Sequence, residues 1–414
     1  MRASTAGISD NFEGSRSHYM LLSVLDTAFS ALVVSPAVIG YWRGTWMIMD
    51  RYVFPNQHTY SSWVSVAIGY LGHVLFTLIQ TPITKRFHPD QRWLSYYIVS
   101  RLYTAVFGFV CVNSWRGVWR LLEHYTGHHM EPLLGTTVAS IVALAVLRTL
   151  RNISSPPFSV TTDCSEGYFR VLTMFRASGS KETSLYVLDC LFSVIIVGTL
   201  VVFVWRGAWT ILDLSLYPSH LDWSAWTSMA LGYAIVVLTF SLQTPLKGLC
   251  GRLEGFRRVC VVDVYLFFSF CGTINVWRGV WMLLNIYFLP DNPEASYWVT
   301  HAGCLLILML IKCSNSILVR GVYIDAEEEG GKCVVFPCYY LRLFIQKRRR
   351  EKLLQLQIQQ QLQQNATHVA TTRKGTKDVD SKTAAGFITV DTQQPNCTAN
   401  HHAQFPLETL EDVP

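Results

Sequence analysis

The sequence predicts an all-α membrane protein with about eight transmembrane helices in two tandem four-span repeats. Half of the 414 residues are hydrophobic and only 15% are charged, whereas a soluble protein carries about 25% charged residues. Eight apolar runs approach the roughly 20 residues that one crossing needs, and the motif Trp-Arg-Gly-x-Trp occurs four times. Because each repeat has an even number of spans, the two repeats should share one orientation about a pseudo-twofold axis parallel to the membrane normal.

The apolar runs define the predicted organisation of the chain. The eight predicted spans lie near residues 20–41, 62–82, 96–114, 133–150, 185–205, 225–245, 260–276 and 298–319. The predicted regions are a cytoplasmic N-terminus at 1–19, a first repeat at 20–150, a cytoplasmic linker at 151–184, a second repeat at 185–319, a basic juxtamembrane and Leu/Gln-rich amphipathic helix at 320–364, and a disordered tail at 365–414.

The motif copies reveal the duplication. They stand at 42–46, 115–119, 205–209 and 277–281, and each closes an odd-numbered span. The first two copies are almost as far apart along the chain as the last two, and a longer segment separates the second from the third, so the copies form two pairs. The register that places 42–46 on 205–209 also places Asp26 on Asp189. We interpret this pattern as a duplicated four-span unit, each unit being two related hairpins.

Each residue type in the motif has an expected role. The tryptophans are spaced i,i+4, so both rings share one helix face and are expected to be interfacial anchors. The glycine allows a close backbone approach, and the arginine can reach the outer interface. The sixteen motif residues are Trp42, Arg43, Gly44, Trp46, Trp115, Arg116, Gly117, Trp119, Trp205, Arg206, Gly207, Trp209, Trp277, Arg278, Gly279 and Trp281.

A polar residue follows each motif arginine by seven positions: Asp50, Glu123, Asp213 and Asn285. Two helical turns separate each pair, so the arginine could pair within its own helix or with a neighbouring repeat. Interlocking Arg–acid pairs that fix helix packing are the favoured interpretation. The alternative is a ring of arginines around an outer vestibule that attracts anions.

Four further charges fall inside predicted spans: Asp26, Arg101, Asp189 and Asp263. They lie one or two turns from the predicted cytoplasmic edge. They would either pair with one another and with loop cations, which we favour, or form a proton or cation relay.

Loop cations predict the sidedness. The loops after spans 2, 4 and 6 hold twelve lysines and arginines and the other loops hold six. The positive-inside rule therefore places both termini in the cytoplasm and the motifs at the outer surface. Cys333 and Cys338, just past the last span, are either ordinary reduced thiols or palmitoylation sites.

The basic run Lys347, Arg348, Arg349 and Arg350 is expected to contact anionic lipid or a scaffold protein. Nucleic-acid binding is not expected, because no basic soluble domain is visible. The sequence lacks a P-loop, a dinucleotide-binding glycine loop, a nucleophile elbow and a zinc-protease motif. We therefore predict no enzyme activity, no catalytic residue, no cofactor and no metal.

The chain resembles the fuseless family of invertebrate multi-pass proteins over residues 20–325. The four motif copies carry the resemblance, from Tyr41-Trp42-Arg43-Gly44-Thr45-Trp46 to Val276-Trp277-Arg278-Gly279-Val280-Trp281. That resemblance implies a presynaptic plasma-membrane protein that helps to localise voltage-gated calcium channels and supports transmitter release. The partner would be such a channel or a synaptic scaffold. The rival hypothesis is a transporter or channel with a duplicated bundle.

Overall fold

The computed structural model describes residues 16–88, 92–163, 167–177 and 182–380, with backbone alone at 16–19 and 367–380. The chain divides into two units, Met1–Lys347 and Arg348–Pro414. Residues 1–15 of the predicted N-terminus and 381–414 of the predicted disordered tail lie outside the described residues.

Helices form nearly all of the regular structure, and no strand occurs in the described ranges. The helices are α1 (Arg16–Phe29), α2 (Ser35–Tyr52), α3 (His58–Leu78), α4 (Gln80–Arg86), α5 (Trp93–Thr126), α6 (Met130–Val146), α7 (Thr183–Leu191), α8 (Gly198–Ser215), α9 (Leu221–Arg252), α10 (Gly255–Tyr287), α11 (Pro293–Leu310) and α12 (Leu341–Asp380). Short π-helical turns join α1 to α2 and α7 to α8.

Six helical segments of the described chain are long and apolar enough to cross a membrane. They are Met20–Tyr52, His58–Leu78, Trp93–Thr126, Thr183–Ser215, Leu221–Arg252 and Gly255–Tyr287. The runs predicted at 133–150 and 298–319 form the shorter helices α6, of 17 residues, and α11, of 18 residues. The structure thus supplies six long apolar helices where the sequence predicts eight spans.

The shorter helices end early because each reaches a residue with a left-handed backbone. Arg148 and Lys312 both have φ of 56°. The amide of the following residue then donates back across the turn, from Thr149 to the Leu144 carbonyl and from Cys313 to the Leu308 carbonyl, both at 2.8 Å. This is the Schellman arrangement of a helix C-terminus, and it turns the chain out of the helix before the predicted ends of the two spans.

Two sets of helices surround the motifs. The inner helices, α2, α5, α8 and α10, carry the four motif copies, and the outer helices are α3, α6, α9 and α11. Each outer helix packs against the next inner helix along the chain, and α11 packs against α2. The pairs are therefore α3 with α5, α6 with α8, α9 with α10 and α11 with α2.

Two loop segments fold together against the helix ends opposite the motifs. We call residues 148–163, 167–177 and 312–340 the loop bed. Phe158, Ile153, Val334 and Phe336 are buried within it. The described parts of the predicted linker at 151–184, and the first part of the predicted juxtamembrane region at 320–364, are therefore largely packed structure.

Acidic side chains tie the two segments of the loop bed together. Asp325 accepts hydrogen bonds from the amides of Leu150 and Arg151 at 2.7 and 2.8 Å. Asp163 accepts from the amides of Ser314 and Asn315 at 3.2 and 2.9 Å. Each aspartate thus caps the 3-10 helix that follows the other half's last span.

Candidate functional site

The eight motif tryptophans form two closed rings. The buried tetrad consists of Trp42, Trp115, Trp205 and Trp277, whose neighbouring ring centroids lie 5.3 to 5.7 Å apart. The outer tetrad consists of Trp46, Trp119, Trp209 and Trp281, with neighbouring centroids 5.7 to 6.0 Å apart. Every neighbouring pair meets edge to face, which is the favourable geometry for aromatic rings and is worth about 0.5–1.5 kcal/mol beyond burial.

The tetrads change the interpretation of the tryptophans. The sequence predicts interfacial anchors, but Trp42 and Trp205 are only 3% exposed and pack on the other motif rings. The i,i+4 spacing places both rings of each copy on the face of the inner helix that points to the common axis. Rings in van der Waals contact around a closed cycle fill that axis.

The loop bed anchors the buried tetrad. The indole nitrogens of Trp42, Trp205 and Trp277 donate to the carbonyls of Ile317, Ile153 and Pro156 at 2.8 to 3.0 Å. Ile317 and Ile153 end the two equivalent 3-10 helices. A buried indole needs such an acceptor, so the bed and the tetrad hold each other in place.

The motif arginines lock each inner helix to the preceding one. Arg116 donates to Asp50 at 2.9 Å and Arg278 donates to Asp213 at 2.8 Å. Arg43 donates to the amide oxygen of Asn285 at 2.7 Å. Each acceptor stands seven positions after the arginine of the preceding motif, so the pairing partner belongs to the neighbouring inner helix and not to the arginine's own helix.

The outer helices supply hydroxyl groups to the same guanidinium groups. Ser61 and Ser65 of α3 accept from Arg116 at 2.6 and 2.5 Å. Ser224 of α9 accepts from Arg278 at 2.7 Å, and Ser296 of α11 accepts from Arg43 at 3.0 Å. These bonds satisfy arginines that are almost completely buried.

We call each arginine contact between neighbouring inner helices a joint. The fourth joint, between α5 and α8, departs from the pattern of the other three. Arg206 donates to the Thr126 hydroxyl at 2.8 Å and to the Gly127 carbonyl. Its Nε has no hydrogen-bond partner among the described residues. Glu123, the acid at the expected position, instead pairs with Arg120 and His128, both at 3.3 Å.

The two kinds of joint follow the halves of the chain. The two joints within a half, α2 to α5 and α8 to α10, are closed by Arg–Asp pairs. The two joints between halves, α5 to α8 and α10 to α2, use a hydroxyl, a carbonyl or an amide as acceptor. We call these two joints the seam.

The motif glycines are points of close helix contact. A Cβ atom at Gly44 would stand 2.5 Å from the His301 amide nitrogen of α11. At Gly117 it would stand 2.5 Å from the Val66 amide nitrogen of α3, and at Gly279 2.6 Å from that of Met229 in α9. At Gly207 a Cβ atom would overlap the side chain of Thr137 in α6, so the obstacle there is a side chain and not the backbone. No side chain fits at these crossings.

The four charges predicted inside spans lie at the loop-bed end, and three of them are tied to the loops. Asp26 accepts from the amides of Tyr340 and Leu341 at 3.2 and 2.5 Å and from Arg342 Nε at 2.6 Å, so it caps the start of α12. Asp189, its counterpart, accepts from the amides of Phe175 and Ala177 at 2.9 and 3.0 Å.

The matching positions in α5 and α10 carry opposite charges. Arg101 forms an ion pair with Asp163 and donates to the Ser314 hydroxyl at 2.8 Å. Asp263 lies near Asp325, the counterpart of Asp163, and its Oδ1 has no hydrogen-bond partner in the described part of the chain. Burial, reinforced by Asp263, raises the pKa of Asp325 to about 7.

Two residues near the chain's basic segment are less accessible than the sequence suggests. Cys333 and Cys338 are 1% and 2% exposed. Burial raises the pKa of both thiols, to about 12 for Cys338. These packed thiols are poor palmitoylation sites in this structure. The basic run at 347–350 is exposed on α12.

Sequence reasoning missed Asp163, Asp325 and Arg342, which lie in the predicted linker and in the predicted juxtamembrane region. A signal was available, because the register that aligns the motif at 115–119 with the motif at 277–281 also aligns Asp163 with Asp325.

A family model described as Fuseless matches residues 21–318, which contain all four motifs. The chain belongs to the fuseless family. No curated protein and no solved structure matches the sequence. The fuseless match covers both tetrads and all four arginine joints. It ends at residue 318, directly after the 3-10 helix Ser314–Ile317 of the loop bed.

Proposed function

We propose that this member of the fuseless family is an eight-pass plasma-membrane protein that organises partner membrane proteins. Its partner would be a presynaptic voltage-gated calcium channel, and its activity is not enzymatic. The filled axis is the observation that most favours this function over solute passage, because two consecutive tryptophan tetrads occupy the position of a central pore.

The packing of α6 and α11 supports eight crossings. Both helices contact a motif glycine as α3 and α9 do, and four equivalent outer helices need equivalent depths. With α6 and α11 as spans, the two four-span halves have parallel orientation and both termini are cytoplasmic, in agreement with the loop cations.

The exposed part of α12 is the proposed contact surface. Residues 320–340 are mostly packed into the loop bed, whereas the basic run and apolar residues such as Phe344 and Leu353 are exposed. Cations of this kind attract anionic lipid of the inner leaflet by about 1 kcal/mol each, and the apolar residues suit a protein scaffold.

The test is purification of calcium channels with the full-length chain from neurons. We expect the wild-type chain to co-purify with the channel and the variant Lys347→Gln/Arg348→Gln/Arg349→Gln/Arg350→Gln to lose it at equal surface delivery. The variant Lys85→Gln/Arg86→Gln is the control, since it removes loop cations from another segment. Recovery of no channel by the wild-type chain would contradict the proposal.

A transporter is the second candidate, and a cavity of about 1080 Å³ beside the buried tetrad favours it. Measurement of ion and small-molecule flux in proteoliposomes distinguishes the two. Substrate-dependent flux that disappears when the cavity is blocked would support the transporter hypothesis and contradict the organiser hypothesis.

A further inference from the structure

The cavity lies between the buried tetrad and the loop bed. One part of its lining is apolar and comes from the helices. This part includes Val38, Val118, Val201, Trp42, Trp115 and Trp277. Its volume of about 1080 Å³ slightly exceeds the roughly 300–1,000 Å³ that small-molecule sites occupy. The site is therefore large enough for one lipid-sized ligand.

Cations dominate the part of the lining that the loop-bed end supplies. Six basic residues line the cavity there against two acids, Glu327 and Glu328. The basic residues are Arg151, Arg170, Arg176, Lys247, Arg320 and Lys332.

Neutral oxygen atoms orient two of these guanidinium groups. Arg320 donates to the Tyr103 hydroxyl at 3.1 Å and to the Tyr168 carbonyl at 2.7 Å. Arg151 donates to two backbone carbonyls. The acceptors of Arg320 carry no formal charge, whereas Arg176 pairs with Glu327 at 3.3 Å. The six basic residues of the lining outnumber its two acids, so we expect the cavity to favour an anion.

A buried hydroxyl group in the same lining needs a partner. Ser159 is 3% exposed, and its Oγ has no hydrogen-bond partner among the described residues. Ser154 Oγ, also in the lining, is in the same state. A buried polar group without a partner costs about 1–3 kcal/mol. Rotation of the Ser159 side chain toward the cavity would let a ligand oxygen accept its hydrogen bond and remove that cost.

We propose that the cavity binds a lipid with an anionic phosphate headgroup. The phosphate oxygens accept from the Ser159 hydroxyl and attract the surrounding cations, since arginine and hydroxyl groups are the usual phosphate donors. The acyl chains lie along the valine and tryptophan walls. This internal site is separate from the lipid contact proposed for the basic run on α12.

The experiment measures the thermal stability of the purified full-length chain in a neutral detergent. Three probes are compared: a short-chain phosphatidic acid, inorganic phosphate, and a short-chain phosphatidylcholine. We expect phosphatidic acid at saturation to raise the apparent Tm by roughly 2–5 °C. Inorganic phosphate should act more weakly, and phosphatidylcholine should have little effect.

Variants assign the effect to the cavity. Ser159→Ala should leave the ligand-free Tm equal or higher, because it removes an unsatisfied hydroxyl, while it reduces the shift caused by phosphatidic acid. Ser35→Ala is the matched control, since Ser35 Oγ is also buried without a partner in the described chain but lies outside the cavity lining. Arg170→Gln/Lys332→Gln, which removes two exposed lining cations, should also weaken the shift, and neutralising residues 347–350 should not.

Three results would overturn the proposal. The first is an absence of any shift with phosphatidic acid. The second is an equal shift in the wild type, Ser159→Ala and Arg170→Gln/Lys332→Gln. The third is an equal effect of inorganic phosphate and phosphatidic acid, which would replace the lipid with a free phosphate ion.

Discussion

At the scale of single residues, the three residue types of the motif each make a different packing contact. The tryptophans fill the axis, the arginines bond to the preceding inner helix, and the glycines allow the outer helix to approach. The i,i+4 spacing and the polar residue seven positions after each arginine were readable in the sequence. The direction of the rings was not, because an indole at a span end suits a lipid interface as well as an aromatic core.

The motif glycines should be intolerant of a methyl group. Gly279→Ala places a Cβ atom 2.6 Å from the Met229 amide nitrogen, so α9 and α10 must separate, and we expect a loss of about 2–4 kcal/mol of stability. The measurement is the apparent Tm in detergent.

Gly248→Ala is the matched control for that substitution. Gly248 is also helical, in α9, but nothing lies within 4 Å of its Cβ position, so alanine should be neutral or slightly stabilising. An equal loss of Tm in both variants would contradict the close-contact role of the motif glycine.

At the seam we predict a substitution that raises the stability instead of lowering it. Asn285→Asp gives Arg43 the carboxylate that Arg116 and Arg278 already have, so we expect the apparent Tm to rise. Asp50→Asn removes the carboxylate that Arg116 and Arg120 share at 2.8 and 2.7 Å, and should cost about 1–3 kcal/mol. A fall in Tm with Asn285→Asp would contradict this prediction. It would show that the neutral amide of Asn285 stabilises the joint with Arg43 better than a carboxylate does.

At the scale of elements, the sequence located the inner helices well and the ends of the last span in each half poorly. Hydropathy extended these two spans beyond Arg148 and Lys312, but both residues end their helices by backbone geometry. The loop bed could not be predicted, because its stability depends on contacts between segments that are distant in the sequence, such as Asp325 with Leu150. Composition alone describes such segments as a linker and a juxtamembrane region.

The loop bed should make stability depend on pH. Asp325 has a pKa of about 7 in the folded chain and about 3.9 when unfolded. The folded chain therefore holds this proton more tightly, and its contribution to stability is lost as the pH rises from about 4 to about 7. The groups around it are Asp263, Arg148, Arg151 and Arg258.

We expect the apparent Tm of the wild type to be lower at pH 8 than at pH 5.5, and Asp325→Asn to reduce that difference. Asp163→Asn is the control, because it leaves Arg101 without its carboxylate and should lower the Tm at both pH values. An unchanged pH dependence in Asp325→Asn would exclude Asp325 as its source.

At the scale of the whole molecule, four motif copies that are distant in the sequence form one closed ring. The duplication, visible in the common register of the two halves, predicted four related units. It did not predict that each outer helix pairs with the following inner helix, nor that the ring closes by packing of α11 on α2. That closure involves the first and last predicted spans, which the sequence alone cannot place together.

Ring closure can be measured with one engineered cysteine. A Cβ atom at residue 40 of α2 would lie 3.8 Å from the Cβ of the native Cys304 in α11, which is the mean separation in a disulfide. Under mild oxidation in the membrane, Gly40→Cys should therefore cross-link to Cys304, and the two halves should stay joined after proteolysis between them. Gly40→Cys/Cys304→Ser, as the control, should separate. If Gly40→Cys also separates while both thiols remain open to alkylation, α11 does not close the ring on α2.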